Sequence, residues 1–291
     1  MQVKQHVLRK KLKKDSHIHW YPGHIAKAER QLKEKLNLCD VVIEVLDARI
    51  PFSSIYNNIE TLLGGKPRLV LLNKADLVDR NELKQFVEKI KESSKMPVMV
   101  TDSKNSKDVQ SIVKEVLNLA EPRIQAIMAK GLLRRPARVM VVGMPNVGKS
   151  SVINKLTKSS KTKIGAKAGV TRQQQWVRIN KDIDLLDTPG IIPMRQDNQE
   201  AATKLAFVNS VSENAYDNET VAQKLLDILA RKYNEQLKDY YKVDELTLEK
   251  IAISRNWITS GSEADIERTA ASVLKYFRDG KLGQFILDEL I

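Results

Sequence analysis

Eight residues, Gly143-Met144-Pro145-Asn146-Val147-Gly148-Lys149-Ser150, follow the apolar run RVMVV and open a helical pattern. Two glycines at this spacing, then lysine and a hydroxyl, form a loop suited to phosphate. The glycines let the backbone curl so that N–H groups from Asn146, Val147 and Gly148 through Ser151 face phosphate oxygens. Lys149 can reach the outer phosphates and Ser150 can ligate magnesium. Downstream, Asp187-Thr188-Pro189-Gly190 ends the strand-like DIDLL. A carboxylate there would hold magnesium through water, and the Gly190 N–H would face a γ-phosphate. Between the two motifs lies Gly169-Val170-Thr171, in a stretch able to close over a nucleotide, with the Thr171 hydroxyl as a further magnesium ligand.

The base is addressed by Asn73-Lys74-Ala75-Asp76, at the end of RLVLL. An aspartate at Asp76 can accept from the N1–H and exocyclic amine of guanine, an edge that adenine does not present. Asn73 would support the purine and Lys74 would cover its face, so the expected ligands are GTP and GDP rather than adenine nucleotides. After the next strand-like run, PVMVT, stand Asp102 and Ser103. They match a second base-contacting loop only loosely and would act mostly through backbone groups.

These motifs need strand ends to stand on. Apolar residues at Ala28, Leu32 and Leu36 among charges give helical spacing over residues 26–38, and VVIEVLDA reads as a buried strand. Strand patterns return at 68–72, 97–101 and 138–142, with helical stretches near 81–93 and 109–119; residues 175–179 and 183–186 read as a strand pair. The alternation predicts an α/β fold with a mostly parallel sheet between helices. Residues 121–136 carry no strand pattern, end at a proline and are expected to bridge two halves of that domain. Beyond residue 199 the strand signal fades. Residues 217–233 and 262–279 have amphipathic helical patterns, with Ser262 and Asp265 resembling a capping box and Gly280 a stop. The expected division is a basic extension over 1–17, an α/β domain over 18–198 and a small helical domain over 199–291.

The 291 residues carry a formal net charge of +13, unevenly spread. Residues 200–291 hold 12 basic and 16 acidic side chains, so the whole excess sits on the first two-thirds. Such an excess favours a polyanion, whether RNA, DNA or acidic lipid; ordinary solvated surface charge is the alternative. Lys4–Lys14 and the acid-free stretch from Lys155 to Lys167 suit an RNA backbone best. No apolar run approaches the roughly 18 residues of a membrane span, so no stable membrane association is expected. The basic start leads into no apolar segment, which favours the cytoplasm, with a mitochondrial or plastid presequence as the alternative. Cys39, the single cysteine, has no disulfide partner and is expected to be buried at a helix end.

In ordinary small GTPases the phosphate loop comes first and the guanine motif last; here the order is reversed. If old termini are close and become joined, the same strands can still assemble around one crevice. The chain resembles the circularly permuted GTPases and, most closely, the ribosome biogenesis GTPase A family, also called YlqF. The likeness rests on Trp20-Tyr21-Pro22-Gly23-His24-Ile25-Ala26-Lys27-Ala28, on Asp47-Ala48-Arg49-Ile50-Pro51 and on the nucleotide motifs in this order. It spans residues 18–195 and continues more weakly to the end. It implies a permuted P-loop GTPase domain followed by a helical bundle of an RNA-binding type. It further implies an assembly factor, expected to be monomeric, that binds the immature large ribosomal subunit, its rRNA and its ribosomal proteins, with GTP hydrolysis timing release.

Where many GTPases place a water-orienting glutamine, this chain has Ile191, which cannot orient water. The resemblance directs that role to His24, with Lys149 and magnesium stabilising charge; on the residues alone, His24 can equally pin the turn before a helix. Asn146 stands where related GTPases hold a potassium ion, or it stabilises the loop through its own hydrogen bonds. Asp47 and Arg49 are expected to brace the adjoining loops as an ion pair. Two rival readings remain at this level: a GTPase switch acting on a membrane or protein partner, and an RNA-binding protein that keeps GTP as a structural ligand.

Overall fold

The structure is a computed structural model and describes residues 22–102, 108–158, 176–186, 190–191 and 198–290. They fall into two compact units, one within Tyr21–Arg195 and one within Gln196–Glu289.

In the first unit, helix α1 (Pro22–Leu36) leads into the fully buried strand β1 (Val41–Asp47). Helix α2 (Ile59–Leu63), β2 (Arg68–Asn73), α3 (Arg80–Ser94), β3 (Val98–Val100) and α4 (Val109–Met128) follow. Next come β4 (Ala137–Gly143), α5 (Lys149–Lys158), β5 (Trp176–Asn180), β6 (Ile183–Leu186) and the short β7 (Gly190–Ile191). The sheet order is β3-β2-β1-β4-β6-β5, with β7 also paired to β4. All pairings are parallel except β5 with β6. Continuous Val/Ile/Leu runs in β1 and β2 suit strands covered on both faces. The sheet grows through β2 and β3 on one side of β1, and through β6 and β5 on the other side of β4. Successive connections therefore diverge between β1 and β4, and a crevice opens at their C-terminal ends.

Cys39 is buried just past α1, with its Sγ 3.4 Å from the Lys35 carbonyl, and burial pushes its thiol up to about 12. The bridge expected over residues 121–136 is shorter than its sequence suggests. Helix α4 runs through Pro122 to Met128, because Ala120 and Ile124 continue its buried stripe on either side of the proline. That burial outweighs the one backbone hydrogen bond a proline removes. Only residues 129–136 remain as connection. They are moored by Arg135, which donates to both oxygens of the buried Asp40 carboxylate at 2.6 and 2.9 Å.

The second unit is helical: α6 (Gln199–Phe207), α7 (Asn218–Tyr241), α8 (Leu248–Ser254) and α9 (Ile266–Arg278). Asn198, Asp217, Thr247 and Asp265 cap the four N-termini with side-chain oxygens. Helix α7 continues eight residues past its expected end, through a non-helical Tyr233 (φ −129°, ψ 25°), because Leu237 and Tyr241 resume the buried stripe. The capping residue of α9 is Asp265, which accepts from the Arg268 N–H at 3.0 Å. Ser262 instead lies in the preceding turn at φ 63° and is not part of a capping box. Gly280, at φ 73°, closes the helix as expected. Arg278 ties α9 to the end of α6 by donating to the carbonyls of Phe207 (2.9 Å) and Ala206 (3.0 Å). Among the described residues no helix is long and apolar enough to cross a membrane.

One buried carboxyl in the first unit makes stability depend on pH. Glu44, in the middle of β1, faces a pocket of about 140 Å³ that Arg68, Ile59 and Ile90 also line. Its Oε2 lies 3.3 Å from Arg68 Nε, while Oε1 is buried without a hydrogen-bond partner. Burial pushes the Glu44 carboxyl up to about 7, against the opposing pull of Arg68. The folded chain therefore holds a proton that the unfolded chain releases near 4.5, and folding stability falls as pH rises through that window. Thermal melts between pH 5 and 7.5 are expected to show a steeper decline for the natural chain than for Glu44→Gln. Parallel declines would rule this out.

Candidate functional site

The phosphate loop leaves β4 at Gly143 and enters α5 at Lys149. Gly143 sits at φ 151°, and a Cβ there would lie 2.5 Å from the Val45 carbonyl oxygen of β1. Gly148 sits at φ 102°, where a Cβ would meet Asn73 Nδ2 at 2.1 Å. The spacing of the two glycines thus answers to two different neighbours, the central strand and the guanine motif. Asn146 turns the loop at φ 58°, a left-handed conformation that asparagine tolerates better than most residues. Val147 is fully buried and Ser150 and Ser151 are exposed at the start of the helix. Lys149 is 7 % exposed; its Nζ donates to the Met144 carbonyl at 2.6 Å, and burial pushes its ammonium down to about 8. An anion at this loop would offset that desolvation by favouring the charged ammonium.

Three side chains sew the base-side segments to this loop. Asn73, at the end of β2, donates through Nδ2 to the Val147 carbonyl at 2.8 Å, leaving its Oδ1 buried and unpartnered. Lys74 donates through Nζ to the Asn146 carbonyl at 2.6 Å and to Asp47 Oδ2 at 2.7 Å. Its stem consequently lies along the crevice wall, where it can underlie a planar base. Asp76 follows on a short 3-10 turn, Ala75–Leu77. Lys155, on α5, donates to the Asp102 carbonyl at 2.8 Å and lies 3.8 Å from Asp108 Oδ2.

Lys155 corrects an expectation. Its side chain is only 8 % exposed, so it is spent inside the domain and is not offered to an RNA backbone. Three residues after the buried Val152 and next to the buried Leu156, it stands at the edge of the inward stripe, and that spacing is the sequence signal for its role. The rest of the stretch to Lys167, apart from residues 156–158, lies outside the described residues, as does Lys4–Lys14. So do Ser103, Thr171, Asp187 and the side chain of His24.

Asp47 and Arg49 form the expected ion pair, at 2.8 Å between Oδ2 and Nη2, with side chains 0 % and 2 % exposed. The Lys74 ammonium on the same carboxylate was not signalled by the sequence, since a spacing of 27 residues carries no pattern. On the other edge of β4, β7 pairs Gly190 with Val142 and Ile191 with Gly143, which brings the Gly190 backbone beside the mouth of the phosphate loop. Helix α1 contacts β7 and α2, and Tyr56 donates to its Glu29 carboxylate.

The Lys155 tie is testable without touching a motif residue. Lys155→Met keeps the aliphatic stem and removes the donor to Asp102. GDP affinity, measured by fluorescence titration, is expected to fall about threefold to tenfold, the net value of one intramolecular hydrogen bond. An unchanged affinity in a folded variant would mean that the Asp102 loop does not need the tie.

A family model described as 50S ribosome-binding GTPase matches residues 138–253. The ribosome biogenesis GTPase A of Bacillus cereus is 37% identical over 277 residues, which is 93% of each chain. That of Thermotoga maritima is 32% identical over 267 residues, covering 91% of this chain and 92% of its own. The crystal structure of GNP-bound YlqF from T. maritima superposes with a TM-score of 0.63 at 28% identity, covering 90% of this chain and 98% of that one. Identity at this level over nearly the full length of both partners means that the chain belongs to the ribosome biogenesis GTPase A family, as a GTP-hydrolysing enzyme.

Proposed function

We propose that the protein binds the precursor of the large ribosomal subunit and that GTP hydrolysis times its release. The observation that carries this reading is the cross-tied crevice, in which base-side and phosphate-side segments are joined by side-chain hydrogen bonds to backbone carbonyls, on a chain whose relatives are ribosome biogenesis GTPases along almost their whole length. Guanine would be read by Asp76 with Asn73 and Lys74, and Asp102 and Ser103 would flank it through backbone groups. The phosphates would be held by the backbone from Asn146 to Ser151 and by Lys149, with the Gly190 N–H at the γ-phosphate. Ser150, exposed at the start of α5, fits a magnesium ligand; Thr171 and Asp187 would complete the set. Magnesium would supply charge neutralisation at the outer phosphates.

The same reading divides the labour along the chain: residues 18–198 for nucleotide, 199–291 for the particle, and the basic residues 1–17 for rRNA backbone. Residues 200–291 carry a slight acidic excess, which favours ribosomal protein or shape-specific RNA contacts there over general phosphate binding. Residues 190–191 precede α6 by only seven residues. Loss of the γ-phosphate at Gly190 can therefore act through a short covalent lead on the helical unit. Sedimentation with a nonhydrolysable GTP analogue tests the partner. The protein is expected to comigrate with large subunits or their precursors; migration with membranes or at the top of the gradient would overturn the reading.

For the chemical step, His24 would position the attacking water and Asn146 would hold a potassium ion. In support, α1 carries His24 as its third residue and contacts β7, where Ile191 supplies no polar side chain. Single-turnover hydrolysis in the presence of large subunits checks both roles. His24→Ala is expected to lower the rate about a hundredfold or more, and replacing potassium by sodium is expected to slow the natural protein. An unaltered rate in either comparison removes the corresponding group.

A further inference from the structure

Asp47 belongs to neither nucleotide motif, yet it is positioned between them. It ends β1, the strand that pairs with both β2 and β4. Its carboxylate is completely buried and accepts four hydrogen bonds. Oδ1 takes the Arg49 backbone N–H (3.1 Å) and Nε (2.9 Å); Oδ2 takes Arg49 Nη2 (2.8 Å) and Lys74 Nζ (2.7 Å). Burial alone would raise its pKa, but the two cations beside it hold the carboxyl well below the ordinary range. Asp47 is therefore a permanent anion between a guanidinium and an ammonium.

The Lys74 ammonium has a second acceptor, the Asn146 carbonyl, at 2.6 Å. Both residues it joins are in the left-handed region, Lys74 at φ 64° and Asn146 at φ 58°. Such conformations cost energy in non-glycine residues and persist where surrounding contacts impose them. A lysine with a 20 % exposed side chain gains solvation by swinging outward. Without the carboxylate it would also face Arg49 as an unscreened like charge, since Arg49 lowers the Lys74 pKa alongside burial, against the pull of Asp47. Asp47 reverses that balance and draws the ammonium onto the phosphate loop.

We propose that Asp47 is a positioning residue for nucleotide affinity that acts through Lys74, holding the ammonium on the Asn146 carbonyl so that base-binding and phosphate-binding segments meet the nucleotide as one preassembled surface. Asp47 touches no part of the nucleotide itself. Its effect is to remove in advance the ordering of Lys74 and Asn146 that binding would otherwise require. Arg49, through its backbone N–H, Nε and Nη2, uses the same carboxylate to brace the loop after β1. The inference rests on the assignment of this crevice to guanine nucleotide.

A double-mutant cycle on GDP affinity tests it, with the natural protein, Asp47→Asn, Lys74→Met and the double variant. Each single change is expected to weaken GDP about tenfold or more, within the usual range of coupling between sites. The double variant is expected to be no weaker than Lys74→Met alone, within about a factor of three. Additive losses would overturn the proposal, because Asp47 would then act independently of Lys74. Arg49→Met separates positioning from bracing: it is expected to lower the melting temperature while leaving GDP affinity within about threefold. A loss equal to that of Asp47→Asn would make Asp47 a purely structural residue. Should Asp47→Asn not fold, Asp47→Glu, which keeps the charge and misplaces it, takes its place in the cycle with the same two outcomes. Failure of the natural protein to bind GDP at all would instead refute the nucleotide assignment.

Discussion

The parallel pairing of β1 with β4 is the contact on which the nucleotide crevice depends. Val41 to Glu44 lie in register with Val139 to Val142, and this alignment brings the Val45 carbonyl against the bare Cα of Gly143. The rest of the sheet extends away from this pair in both directions, so the loops leaving β1 and β4 part company at their C-terminal ends. A crevice opens where the chain order reverses, whatever residues later line it. The phosphate loop fills one wall because β4 ends there. The Asp47 carboxylate and the guanine motif fill the other because β1 and β2 end beside it.

Side chains hold the two walls of this arrangement together. The guanine motif and the phosphate loop are separated by about seventy residues and by the connection at 129–136, so no short covalent link holds them together. Side-chain hydrogen bonds to backbone carbonyls do so instead: Asn73 with Val147 and Lys74 with Asn146, with Lys155 of the following helix adding the Asp102 carbonyl. Contacts of this kind add little net stability, since each group leaves water to form them. Their effect is on geometry; the buried Asn73 donor in particular has few other acceptors within reach. The connection is itself pinned by the Arg135–Asp40 pair at the foot of β1, opposite to the end that carries the site.

Much of the fold is legible from local pattern. The buried runs at 41–47, 68–73 and 137–143 announce themselves by composition, and the capping of α3 by Asp79 follows the usual preference for aspartate at that position. The pattern misleads where burial overrides a local signal. Pro122 suggests a break, yet α4 continues because both flanks of the proline are packed. Tyr233 interrupts α7 without ending it for the same reason. Ser262 and Asp265 both look able to cap, and only the path of the turn before α9 distinguishes them.

The residue types alone determined the local features from which the chemistry is proposed: a glycine-rich loop ending in Lys-Ser, an Asn-Lys-x-Asp run, no glutamine after the last motif, and strands and helices in alternation. Each of these is a matter of a few neighbouring residues, whose backbone freedom, charge and periodicity act locally. Only the tertiary structure decided that Lys74 leans on Asp47, that Asn73 donates to the phosphate loop, and that Lys155 is an internal tie rather than a surface charge. Those pairings depend on which strands are neighbours and in what register, and a linear sequence of well-formed elements is compatible with several such orders until the core is packed.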